Sequence, residues 1–531
     1  MNILKAPWLP FELKDGTKMT LPMTAIARED IVDFALPRAD FQGAAYQFSI
    51  GLLQTVFAPK NKQQWHSYYR QAPSIDSLQT AFDTVAHAFN VTGSGALFMQ
   101  DFDELKEVLT SPVSGLLIEA PGANALKLNT DHFIKRDVAK VMSIEMAALA
   151  LFTLQIYAPS GGQGHRTGLR GGGPLTSLLL PQHEQTTLWQ KLWINVIFIN
   201  SLSYCEPNFY DGSVFPWLAA TRTSNKKASE VYQADIHYLQ MFWPMPRRIR
   251  LHVEDGDAVC AISGETSQLL VKNYRTKNYG INYSGNWCHP LTPYRWNPKK
   301  TSQDEFSVKG QPGGITYRIW HTLAFSSDQQ GQRCAKVVEQ FSSLQGELKE
   351  ADNEQIRLWV FGYDMDNMKA RGWYSSEMPL FAVGTDYQED ILHTIIDLQD
   401  VAAHILWCCR TQIKAAWFDK PKEVKGDFSF IDLFFWQRTE AIFYHAVQQI
   451  IANATSVDKI FEYHQAKDWL NKLRYIALAI FDEQVLMGAS TPFVMMRRYK
   501  ARQLLETIIF YKPTKNLKSF IKNYRIKNQG E

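Results

Sequence analysis

The spacing of apolar residues divides the chain into stretches of different texture. The first forty residues read as short extended pieces, punctuated by Pro7, Pro10, Gly16 and Pro22. Helical spacing follows over about 41–57 and 76–90. Residues 143–158, rich in Ala and Leu, predict a buried helix that runs straight into a glycine-rich loop, and an amphipathic helix is predicted over about 184–205. From about 248 to 325, β-branched and aromatic residues predict strands, with turns at Asp255-Gly256, Ser284-Gly285 and Pro312-Gly313-Gly314. A helix near 330–350 and an apolar strand, IRLWVFGY, ending at Tyr363, come next.

After Gly384 the pattern becomes helical throughout. Thr385 and Gln388 have the spacing of a capping box. Beyond them Ile391, Ile395, Leu398, Ala402, Ile405 and Cys409 recur in alternating steps of four and three, a core-facing stripe. Further helices are predicted over about 429–453, 456–486 and 491–511, joined by short linkers carrying Lys420-Pro421-Lys422 or Gly488 and Pro492. The expected architecture is α+β, with a mixed α/β domain over 1–383 followed by an antiparallel four-helix bundle over 384–531. No Glu-x-x-His pair projects into that bundle, so it reads as a packing domain rather than a di-iron site.

Composition excludes several classes. With 531 residues, 45% of them hydrophobic and 13% aromatic, the chain can bury a substantial core and is not disordered. The longest apolar stretch, 144–158, is interrupted by Glu145 and Gln155 and is shorter than the roughly 20 residues of a membrane span. MNILKAPWLPFELKDG places prolines and charges where a signal peptide needs an apolar block, so no membrane or secretory role is expected and the expected location is cytoplasmic. The six cysteines include no C-x-x-C pair. Net charge is only +3, yet Arg497 to Lys527 holds ten Lys/Arg against one acid, Glu506, so positive charge is concentrated near the C-terminus.

Three segments carry candidate chemistry. GGQGHRTGLRGGG, 161–173, places seven glycines with His165, Arg166 and Arg170; it lacks the lysine of a phosphate-binding P-loop and follows a helix rather than a strand. Its composition suits either close approach to a nucleic-acid groove or a mobile surface loop. GYDMDNMKARGWY, 362–374, holds Asp364 and Asp366 directly after a strand, as in some metal-dependent phosphatases and glycosyltransferases, but Met368 stands where the phosphatase pattern wants threonine. VKNYRTKNYGINYSGNWCHPLTPYRWNPKK, 271–300, interleaves Lys272, Arg275, Lys277, Arg295, Lys299 and Lys300 with Tyr274, Tyr279, Tyr283, Trp287, Tyr294 and Trp296. That mixture suits phosphate and base, or a β-ribbon with one buried face. A general nucleic-acid-binding scaffold working through the basic C-terminus is a further reading.

In order along the chain, APWLP near the N-terminus, ALFMQD at 96–101, NTDHFIKR at 129–136, ALALFTLQIYAPSGGQGHRTGLRGGGP at 148–174, SGNWCHPLTPY at 284–294, GYDMDNMKARGWY and the terminal bundle resemble the large subunit of Cascade, the type I-E CRISPR surveillance complex (the CasA family). The resemblance implies a subunit that is not an enzyme. Its implied partners are a CRISPR guide RNA, the other Cascade subunits, double-stranded target DNA carrying a protospacer-adjacent motif (PAM), and a helicase–nuclease. It would read the PAM through the minor groove, help open the duplex and, with its bundle, hold the displaced strand.

The implied residues are a glycine loop in the minor groove at Ser160, Gly161, Gly162, Gln163 and Gly164, and a basic finger within Arg275–Tyr279. The family's finger position falls on Asn278, so Lys277 is taken as the finger, with Arg275 nearby. A wedge falls on Asp366, Asn367 and Met368, and a docking loop near the guide on Asn129, Asp131, His132, Phe133 and Lys135. Some members hold a structural zinc with two cysteine pairs; the corresponding positions here are Ser143 with Met146 and Cys260 with Ser263, so neither metal nor other cofactor is expected.

Overall fold

A computed structural model describes residues 1–129, 131, 136, 138–183, 186–201, 205–300, 305–352, 356–383, 385–454, 460–488 and 491–526. Helix and strand are mixed, as expected of an α+β chain, and the chain divides into two compact units. One comprises Met1–Gly310 with Asp328–Glu377; the other comprises Gln311–Ser327 with Met378–Glu531.

The first unit is organised around two buried helices, Ala39–Val56 and Ile144–Tyr157. The second of these is buried on all sides except at Glu145, so its apolar run reflects enclosure rather than a one-sided face. Phe48 of the first meets Trp8, Phe89, Phe98, Phe152 and Trp243 edge-on, with ring centroids 5.3 to 5.9 Å apart, an arrangement that aromatic quadrupoles favour. Leu9–Leu13, Lys18–Leu21 and Ile31–Phe34 form a small antiparallel sheet, the extended pieces the proline spacing suggests.

Two hairpins project the functional segments. Arg248–Val259 and Thr266–Lys277 pair antiparallel, and the second strand also pairs with Thr110–Pro112 and Met142–Ser143. The expected turn at Asp255-Gly256 is instead a register irregularity inside the first strand; the chain reverses later, where Gly264 donates its N–H to Cys260 O at 2.9 Å. Ile356–Asp366 pairs with Thr176–Pro181, and Lys369–Pro379 continues the sheet on its other edge. Among the described residues of 184–205, the expected helix covers Leu188–Trp193, followed by a 3-10 turn at Ile199–Ser201. Asn195 explains the early stop. Its amide accepts from Leu179 N–H and donates to Leu179 O, tying the chain to the strand edge instead of continuing the helix.

The second unit contains the helices Gln388–Trp417, Ser429–Ala454, Tyr463–Phe481 and Pro492–Glu506, with a further short helix at Lys515–Asn523. Side-chain pairs fix their directions. Arg438 meets Glu483 while Asn453 meets Gln465, so the second and third run antiparallel. Arg502 meets Asp482 while Arg474 lies over Phe510, and Arg497 binds Ala416 O while His404 meets Thr514. The fourth is therefore antiparallel to both the third and the first, an up-down-up-down bundle. All six residues of the predicted stripe on the first helix are at most 1% exposed. At its start Thr385–Tyr387 form a 3-10 turn, the helix begins after Tyr387, which caps it with no side-chain hydrogen bond, and the Gln388 amide donates to Ser326 O.

Candidate nucleic-acid interface

The glycine segment leaves the core where helix Ile144–Tyr157 ends. Gly168 donates its N–H to Ala158 O at 2.9 Å, closing 159–167 into a loop with its ends together. Ser160, Gly162 and Gln163 are exposed, and Gly161 and Gly164 half-buried. The loop leans on the end of the long hairpin. Tyr279 N–H donates to Gly164 O at 2.8 Å, and the Asn278 amide donates to Gln163 O at 2.7 Å. Glycine is required at 164, where φ is +79° and a Cβ would stand 2.8 Å from that of Asn278. At Gly162, by contrast, a Cβ would meet no atom within 4 Å.

The far end of the same segment meets the second hairpin. Gly173 has φ +68° and its backbone passes so close that a Cβ would lie 2.8 Å from Tyr363 O. Three segments read separately in the sequence are thus joined in one unit, with the loop between the two hairpins. The tip of the second hairpin is Asp366, Asn367 and Met368; Asn367 takes φ +53° at the turn and Met368 is 55% exposed. Asp364 is buried at the hairpin base, both oxygens held by Arg371 at 2.7 and 3.0 Å, with Asp366 3.7 Å from the same guanidinium.

The finger candidates separate. Lys277, the last strand residue, is exposed and paired with Glu107 at 2.7 Å, which holds that carboxyl below its ordinary range. Asn278 turns to the loop, and Arg275 is half-buried with its Nε lacking a hydrogen-bond partner. Of the two readings of 271–300, the β-ribbon with a buried face describes most of its rings: Tyr274, Trp287 and Tyr294 are core residues, Tyr283 accepts a hydrogen bond from Met245 N–H, and Trp296 lies beneath Arg333. Of its cations, Arg295, Lys299 and Lys300 remain exposed, while Lys272 pairs with Glu254.

Two cations at the glycine segment carry no local sequence signal. Arg247, from the start of the long hairpin, reaches under the loop, its Nη2 donating to Pro159 O. Burial lowers its pKa to about 10, and burial and then Arg247 also lower that of His165. Lys309 stands beside Gly171, its Nζ 3.7 Å from where a Cβ there would be. The arginines inside the segment point the other way. Arg166 donates to Ser224, and Arg170 is buried, donating to Gln47, Thr176 and Thr292.

In the docking segment Arg136 binds Asn129 Oδ1 at 2.8 Å and Asp131 at 2.6 Å. His132, Phe133 and Lys135 lie outside the described residues. The positions aligned with the zinc-binding cysteines do meet: Ser143 accepts from Met146 N–H, and backbone N–H groups of Ser263 and Ser143 more than offset burial at the Cys260 thiol, lowering its pKa. One thiol, a buried thioether and two hydroxyls do not fit a zinc tetrahedron. Among the described residues no helix is long and apolar enough to cross a membrane.

The fold and site define a mixed α/β protein that presents a nearly side-chain-free loop between two hairpins and carries a helical bundle in the same chain. The structure of Thermus thermophilus CasA (Cse1) matches it with a TM-score of 0.64 at 16% identity, over 95% of this chain and 99% of that one. Thermobifida fusca Cse1 matches with a TM-score of 0.67 at 14% identity, over 99% and 98%. A chain from a structure described as a CRISPR RNA-guided surveillance complex matches at 0.64 and 14%, over 95% and 99%. A model of the CRISPR-associated protein Cse1 family matches residues 2–480, and the chain belongs to that family, the Cascade large subunit its motifs resemble.

Proposed function

We propose that this chain reads the PAM of double-stranded DNA within a type I-E surveillance complex, together with a CRISPR guide RNA and the other Cascade subunits, as a non-catalytic cytoplasmic subunit. The observation that carries the reading is the loop at 160–164, whose exposed backbone is clamped through its carbonyls to the hairpin end at Asn278–Tyr279. A minor groove about 6 Å wide admits backbone but few side chains. Lys277 supplies a cation beside the loop, exchanging Glu107 for phosphate, and the exposed Met368 at the second hairpin tip presses on the first base step as a wedge. Asn129, Asp131, His132, Phe133 and Lys135 dock against the guide end of the complex.

The bundle holds the displaced strand. Support comes from its fourth helix, where Phe493, Met496 and Tyr499 are 57 to 74% exposed next to Lys500, a pairing of rings and charge suited to single strands. The opened target is then passed to a separate helicase–nuclease. The alternative of a phosphatase or glycosyltransferase finds Asp364 already saturated by Arg371, with no third metal-binding group gathered there among the described residues.

Gly162→Val tests the reading, because the new side chain meets nothing within the protein. In the assembled complex its thermal stability is expected to be unchanged while affinity for a PAM-bearing duplex falls at least about tenfold, a loss that shrinks when the PAM region is supplied already unpaired. Unchanged duplex affinity would remove the loop from the groove.

A further inference from the structure

We propose that Arg247 and the loop backbone above it form a seat for one phosphodiester oxygen of the duplex that the loop enters. This rests on the reading above and adds a contact that the sequence motifs do not assign.

Three observations converge. First, the guanidinium is largely enclosed yet has no carboxylate paired with it among the described residues; Nη2 is bound to Pro159 O, and Nε is buried without a hydrogen-bond partner. The groups around it are His165, Tyr274 and the neutral loop, so among the described residues no carboxylate balances the charge. An enclosed, uncompensated cation is expensive for a fold to keep, which points to a charge supplied from outside.

Second, the loop's polarity is sorted. The carbonyls of Pro159, Gly162, Gln163 and Gly164 accept from Arg247, His165 N–H, Asn278 and Tyr279 N–H respectively. The N–H groups of Ser160 through Gly164 donate to no protein group among the described residues. Four of the six carbonyls of 159–164 are thus used internally, those of Ser160 and Gly161 staying open, while all five of these donors are left over, a bias toward the polarity of an anion-binding backbone. Third, Gly161 lies directly beside the guanidinium: His165 Cβ, 2.3 Å from where a Cβ would be, excludes a side chain there, and the position so left bare is 3.4 Å from Nη1 of Arg247. A guanidinium beside free backbone donors is suited to a charge-assisted contact with a phosphate oxygen.

The test uses the complete guide-RNA complex carrying the natural chain, Arg247→Gln or Arg247→Lys. Target duplexes carry a single uncharged methylphosphonate at each linkage flanking the PAM in turn. With the natural chain, neutralising one linkage is expected to weaken binding about tenfold. With Arg247→Gln the same substitution should add no further loss, and the slope of log affinity against log salt should flatten by about one, while the ratio between PAM and non-PAM duplexes holds. Arg247→Lys, which keeps the charge, should retain most of the salt slope and reports on folding. If the glutamine variant fails to assemble, the linkage scan on the natural chain still decides. A scan with no sensitive linkage, one whose sensitivity is the same in Arg247→Gln, or sensitivity confined to methylphosphonates placed in the guide RNA would each overturn the proposal. Failure of the underlying reading looks different: the natural complex would then not distinguish PAM from non-PAM duplexes at all.

Discussion

At the scale of single residues, the cations of the glycine segment show how far local composition can be trusted. Arg166 and Arg170 flank the glycines and suggest an anionic neighbour, yet both face neutral groups of their own protein. Arg170 lies over the Tyr157 ring, 5.1 Å from its centroid, and its amide partner Gln47 also binds Tyr157 Oη. It therefore staples the loop base to both central helices. Arg170→Met removes three hydrogen bonds and leaves Gln47 Oε1 only the longer bond from the Thr176 hydroxyl at 3.3 Å, so a destabilisation of about 2–4 kcal/mol is expected in urea unfolding. A loss under 1 kcal/mol would show that the staple is replaceable. The cation that does reach the loop, Arg247, is some eighty residues away in sequence with no motif around it, so only the folded chain reveals it.

At the scale of elements, what was legible followed from strong periodicity or from residues with one use. The enclosed helix Ile144–Tyr157 and the bundle stripe announce themselves by apolar spacing. The glycine segment is conspicuous because few conformations need so many glycines. The helix over 184–205 and the turn at Asp255-Gly256 failed because tertiary bonds, Asn195 to Leu179 and the strand pairing through a bulge, override local preference. Nor could spacing reveal that both hairpins converge on one loop, since Gly164 meets Asn278 and Gly173 meets Tyr363 across long sequence separations. The second hairpin turns within two residues, with Asn367 at positive φ presenting Met368 outward. Met368→Ala should leave stability within about 0.5 kcal/mol, because the side chain is half-exposed. It should slow opening of the first target base pairs several-fold, read by 2-aminopurine fluorescence, and spare a target already unpaired there. Equal rates on both substrates would remove Met368 from the opening step.

At the scale of the molecule, each unit encloses a histidine whose charge the fold resists, and this sets how the protein responds to acid. In the first unit His289 is buried, and burial together with Arg170 depresses it well below its ordinary range. In the second, burial lowers His321 to about 4, only partly offset by Gln399. A histidine depressed in the native state takes up a proton more readily when unfolded, so stability rises with pH between the folded and unfolded values and is lost on acidification. For His321 that window runs from roughly 6.5 down to about 4, and at 1.36 kcal/mol per pH unit the loss amounts to about 3 kcal/mol. Asp397, Asp400 and Asp432, raised mainly by burial, act with the opposite sign, so the part of the slope that belongs to His321 is the part its substitution removes. Unfolding free energy measured in urea should therefore drop between pH 6.5 and 5 even though both values lie above the bulk of carboxylate titration. His321→Gln should flatten that slope whatever it does to stability at pH 7.5. An unchanged slope would mean that His321 is protonated as easily in the folded chain as in the unfolded one, and that its enclosure is not what governs the acid response of the second unit.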